Sequence, residues 1–110
     1  MSVLNRKRDA LEPAIVLTVV NADGSDRDCT DADSVTFNAQ LTTGVTEITI
    51  EGSFTDPSVG ESTFEPQAGD FDTIGIYEYD VCTTWSPGRE SVDPEDSYGA
   101  LVIYRRAQDA

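Results

Sequence analysis

Histidine is absent from this 110-residue chain, lysine occurs once, and cysteine occurs twice. Without histidine, the commonest general base and the commonest transition-metal ligand are missing. Two cysteines, Cys29 and Cys82, with no histidine beside them argue against a zinc site. No apolar run approaches the roughly 20 residues that cross a bilayer. The opening "MSVLNRKRDALEP" has a basic cluster but no apolar stretch after it, so no export signal is read there. The chain is expected to stay in the cell, or to leave by a route that reads no such signal, and both thiols are expected to remain unpaired.

Basic residues are scarce and oddly placed. Twenty-one acids face seven bases, a formal charge of −14. Arg6, Lys7 and Arg8 stand at one end and Arg105 and Arg106 at the other. Between Asp9 and Tyr104 only Arg27 and Arg89 face 20 acids, which leaves the body at −18. Such a body repels phosphate, which excludes a nucleic-acid binder, and it repels anionic membrane surfaces. At ordinary ionic strength so much like charge strains a compact fold. In molar salt the screening length falls to about 3 Å and the strain is relieved. The surface reads as adapted to high salt.

What is present is the alternation of β-strands. "PAIVLTVV" (13–20) is β-branched and apolar and runs into "NADGSD", whose Asp-Gly is a turn signal. "SVTFNAQL" places Val35, Phe37, Ala39 and Leu41 on one face. "TGVTEITIEG" alternates through Val45, Ile48 and Ile50. "ESTFEP" is a short strand closed by Pro66. "IGIYEYDVCTTW" puts Tyr77, Tyr79, Val81, Thr83 and Trp85 on one face, and "YGALVIYRR" closes the set. Val35, Phe37, Ile48, Tyr77, Tyr79, Val81 and Ile103 are the expected core.

The spacing predicts an all-β chain, a small antiparallel immunoglobulin-like β-sandwich of six to eight short strands with an extended N-terminal arm. The arm is residues 1–10, the domain 11–106 and the tail 107–110. "SPGRESVDPEDS" (86–97) is a polar insertion between the last two strands, long enough to make contacts. If "AIVLTVV" or "LVIYRR" lies at a sheet edge, it needs covering by another chain.

The stretch "GDFDTIGIYEYDV" reads as a corner rather than a catalytic site. Asp72 is placed to cap the turn, Gly75 relaxes the backbone, and Tyr77 packs its ring inward with its hydroxyl bonded back to the corner.

From Leu11 to Tyr104 the chain resembles an immunoglobulin-like domain of tailed-virus virion proteins. It is similar to the N-terminal part of phage upper baseplate proteins and to small stand-alone head or tail proteins. Thr30, Asp31, Val35 and Phe37 match one step of that pattern, and Asp70, Asp72, Thr73, Gly75 and Tyr77 match another. Cys29 stands where leucine is usual, and the acidic 86–97 loop also departs from the pattern.

The resemblance implies a protein without catalytic residues, cofactor or metal. It implies a multi-copy part of a tailed virus particle, at the baseplate, the tail or the capsid surface, assembled in the host cytoplasm. Its partners would be other virion proteins, with no nucleic acid and no membrane, and its source a virus of a halophilic archaeon. Arg6, Lys7, Arg8, Arg89, Arg105 and Arg106 are the candidate partner-binding residues, because their charge opposes that of the body. The alternative is a carbohydrate- or host-surface-binding module using Trp85 and Tyr98 as stacking residues. The loop "DGSDRDCTDAD" (23–33) offers five aspartates but lacks the order of acids and glycine of a calcium loop, and reads as a solvated, salt-tolerant loop.

Overall fold

A computed structural model describes residues 3–21, 23–85, 88–93 and 99–107. The chain is all-β, with eight strands and one 3-10 turn, Pro57–Val59, among the described residues. The strands are β1 (Val3–Lys7), β2 (Ile15–Thr18), β3 (Ala32–Leu41), β4 (Glu47–Asp56), β5 (Glu61–Phe64), β6 (Gly75–Trp85), β7 (Arg89–Asp93) and β8 (Gly99–Tyr104). They form one curled, mixed sheet in the order β1-β8-β6-β3-β4-β5-β2, with β7 also paired to β6.

β6 is the spine. It pairs with β3 from Leu41↔Tyr77 to Ala32↔Trp85. Its other side is shared, with β8 along Gly75–Tyr79 and β7 along Val81–Trp85. β4 makes the curl: Glu47–Glu51 pair with β3, whereas Gly52–Asp56 pair with β5 through an irregularity between Phe54 and Asp56. Such irregularities add twist and bend a strand. The bend brings Phe64 of β5 back over β3, where its ring centroid lies 5.9 Å from that of Phe37. Phe37 in turn stacks on Tyr79 at 5.0 Å. All three are fully buried, and the core forms around them from Ile15, Val19, Val35, Ile48, Ile50, Tyr77, Val81, Leu101 and Ile103. All seven residues expected in the core are buried there. Gly99 faces Tyr79 across the β6–β8 pair, and any side chain at 99 would run into that ring.

Four expectations need correction. Residues 3–7 lie inside the domain rather than outside it. They pair in parallel with β8, from Val3↔Ala100 to Lys7↔Tyr104, so the sheet is mixed rather than purely antiparallel. The reason is that β8 would otherwise present an open edge, and alternation in β1 turns Leu4 and Arg6 inward. Second, of the two apolar segments weighed as edges, β8 is flanked by β1 and β6, whereas β2 does lie at an edge, pairing only with β5 among the described residues. Third, part of the 86–97 insertion is strand β7; residues 86, 87 and 94–97, with the tail residues 108–110, lie outside the described residues. Fourth, Val45 does not join the face of Ile48 and Ile50: it sits in the β3–β4 turn, 92% exposed. Among the described residues no helix is long and apolar enough to cross a membrane.

Candidate functional site

Parallel strands leave a sheet at the same end, and the β1–β8 pair thereby brings together two basic clusters from opposite ends of the sequence. Lys7 is in register with Tyr104, and the Arg8 N–H donates to the Tyr104 carbonyl at 2.8 Å. The Lys7 Nζ lies 5.7 Å over the Tyr104 ring and donates to the Arg105 carbonyl at 3.5 Å. Arg6, Lys7, Arg8, Arg105 and Arg106, five of the seven bases, thus share one end of the molecule. Asp9 ends β1 in a left-handed turn (φ 60), a conformation aspartate tolerates better than most residues, and its N–H donates to the Phe71 carbonyl at 2.9 Å.

These five are not equivalent. Lys7, Arg105 and Arg106 are exposed, whereas Arg6 is turned inward, its guanidinium 5.9 Å from the Phe71 ring. Burial pushes the Arg6 pKa down, opposed by the charge of Glu12. Its Nη1 is buried without a hydrogen-bond partner among the described residues. Arg6 anchors the end of β1 to the core, and the outward charge comes from its neighbours.

The corner lies at the same end. The Tyr77 hydroxyl donates to the Thr73 carbonyl at 2.7 Å, and the Asp72 carboxylate accepts from the Thr73 hydroxyl at 3.1 Å. Burial and then the negative charge of Asp72 push the Tyr77 phenol up. Gly75 has φ 153, and a Cβ there would sit 2.5 Å from a Leu41 methyl. Phe71, fully buried from the turn itself, plugs the core at this point. Its flanking aspartates hid it in the sequence.

The other end of β6 is about 34 Å away at strand rise, in a molecule 47 Å long. There the aspartate loop returns to the sheet, since Ala32 pairs with Trp85. Asp23 accepts from the Ser25 hydroxyl and N–H, and Asp28 from those of Thr30; these bonds hold both carboxyls below the usual range. Among the described residues no cluster of histidine, cysteine, aspartate or glutamate is arranged to hold a metal ion.

Arg89, the sixth candidate, is also at this end, far from the other five. It is in register with Trp85 and lines a cleft of about 340 Å³ with Arg27, Trp85, Glu90 and Ser91. The Arg27 guanidinium lies 4.6 Å over the Trp85 ring, and the indole N–H donates to the Ser91 hydroxyl at 3.0 Å. One face of the tryptophan is therefore taken by Arg27, and Tyr98, the other stacking residue of the glycan reading, lies outside the described residues. Sequence reasoning passed over Arg27. The available signal was that Arg27 and Arg89 are the only two bases of the body. Neither Cys29 nor Cys82 is in a disulfide among the described residues. No family model, curated protein or solved structure matches the chain.

Proposed function

We propose that the chain is a non-enzymatic structural component of a tailed virus particle, a baseplate, tail or capsid-decorating protein that attaches by protein–protein contact in high salt. The observation that carries the attachment part is the β1–β8 pairing, which gathers five bases at one end of a molecule whose body is strongly acidic. The opposite end carries Asp23, Asp26, Asp28 and Asp31 on one loop and Asp33 at the start of β3. Charge so divided along the long axis favours end-to-end contact, steering a basic end onto carboxylates of a neighbouring subunit. The β2 edge, with no strand beyond it among the described residues, offers a second contact through backbone pairing. The virion context rests on the sequence resemblance, and the immunoglobulin-like reading is supported by the corner bond of Tyr77 and by Phe64 folding back over Phe37.

The test is a charge reversal of Lys7, Arg105 and Arg106 to glutamate. All three are exposed, so the variant should fold and melt much as the native chain does. It should fail to enter particles in a complementation experiment, and any self-association seen by sedimentation should disappear. A reversed protein incorporated as well as the native one would dismiss the basic end as the attachment surface.

A further inference from the structure

Arg27 and Arg89 are the only bases between Asp9 and Tyr104, and they are 62 positions apart; the fold nevertheless delivers both to the cleft beside Trp85. With 20 acids in the same stretch, a guanidinium would ordinarily find a carboxylate. Neither does: among the described residues, the side-chain contact of Arg27 is the Trp85 ring, and Arg89 is exposed with no ion pair. Glu90 also lines the cleft, but its carboxylate is engaged by the Cys82 thiol, which donates to it at 3.2 Å, and the β6–β7 register turns its side chain to the face opposite Trp85 and Arg89. Among the described residues, two guanidinium groups thus line one cleft without an ion pair.

The site is built rather than incidental. Arg27 is fixed by its N–H donating to the Val19 carbonyl at 3.0 Å, and by the indole beneath its guanidinium. That indole is itself oriented by Ser91. Arg89 is positioned by the β6–β7 register. A guanidinium stacked on an indole keeps its edge donors free for a planar acceptor, and a carboxylate matches that fork with two parallel hydrogen bonds.

The surroundings restrict the ligand further. Asp26 and Asp28 flank Arg27 in sequence, Asp31 follows on the same loop, and Asp33 lies at the start of β3. A polyanion would be repelled by them, whereas one carboxylate amid positive charge would be drawn in. We infer that the Arg27–Arg89–Trp85 cleft receives a single Asp or Glu side chain carried by a basic segment of another protein chain. The cleft takes the carboxylate, and the acidic loop takes the bases around it. The chain's own residues 6–11, three bases followed by Asp9, are one segment of that chemistry; in the folded chain Lys7 and Asp9 are its exposed members, at the opposite end of the molecule. With a second copy as the occupant, the inference deepens the end-to-end reading above and rests on it. The cleft itself is testable alone.

Trp85 is the sole tryptophan and touches Arg27, so its emission reports occupancy directly. The probe is a blocked synthetic peptide of residues 6–11, titrated at fixed ionic strength into the native full-length chain, with calorimetry as a second readout. Saturable binding is expected, weakened at least tenfold when the peptide carries Asp9→Asn. A similar loss is expected when the protein carries Arg89→Gln or Arg27→Gln, with thermal melts confirming that each variant folds. Equal binding of the two peptides would mean that the bases alone sit on the acidic loop, and would overturn the proposal. So would tetra-aspartate, inorganic phosphate or glucuronate binding as tightly as the peptide, or no response to the peptide at all. Failure here with loss of assembly on reversing Lys7, Arg105 and Arg106 would reject the cleft while leaving the basic end in place.

Discussion

Replacing Phe37 with alanine removes the ring on which the curl of the sheet closes. Phe37 is fully buried, stacked on Tyr79 at 5.0 Å and tilted against Phe64 at 5.9 Å, so it touches both limbs of the folded-back sheet. Truncation loses the transfer free energy of the ring and leaves a cavity that two rigid strands cannot close, at a cost of about 3–5 kcal/mol. Domains of this size are stable by about 5–15 kcal/mol, so the variant should fold but only just. At a urea slope of about 1–3 kcal/mol per molar, the midpoint should fall by about 2 M with the slope unchanged. The melting temperature should drop by about 12–20 °C. Equilibrium urea unfolding followed by Trp85 emission and far-ultraviolet circular dichroism measures this. Val45→Ala is the internal control: Val45 is as apolar in the sequence pattern but 92% exposed, and its replacement should change stability by less than about 0.5 kcal/mol. Comparable losses at the two positions, or a Phe37→Ala loss below about 1 kcal/mol, would refute the view that Phe37 joins the limbs.

Thr83 is fully buried on the core face of β6 with its hydroxyl unpartnered among the described residues, so Thr83→Val should raise stability by about 1 kcal/mol in the same urea assay. A loss would mean the hydroxyl is satisfied. Tyr77→Phe deletes the 2.7 Å bond to the Thr73 carbonyl and should cost about 1 kcal/mol, with faster amide exchange in residues 72–76. Burial, the hydrogen bond to Glu90, and the charges of Glu90 and Asp80 raise the Cys82 thiol from 9.0 to about 11. Its proton is thus held more tightly in the folded state. That contribution is complete below pH 9 and is lost as pH rises through 11, and alkylation of the folded chain at pH 8 should run about a hundredfold slower than that of the unfolded chain. Finally, the melting temperature should rise steeply between low salt and molar potassium chloride, because the screening length shrinks from about 30 Å to about 3 Å. A flat profile would remove the high-salt reading of the surface.

The strand class and the identity of the central core were already settled by local pattern. Period-2 alternation forces Phe37 onto one face with Val35 and Ala39, and Tyr77 with Tyr79 and Val81, whatever the partner strands are. The charge imbalance is likewise a property of composition. Pairing partners are different, because any strand offers the same backbone groups to any neighbour. That residues 3–7 lie parallel to β8, and that 89–93 share β6 with it, followed from which edges were left open. Phe71 could be recognised as core only once the turn carrying it was seen to cap the sheet. Both basic groupings belong to the same category. Arg8 meets Tyr104, Arg27 meets Trp85, and Arg27 shares a cleft with Arg89, across separations of 96, 58 and 62 positions. No local rule spans such distances; the course of the sheet brought those charges together.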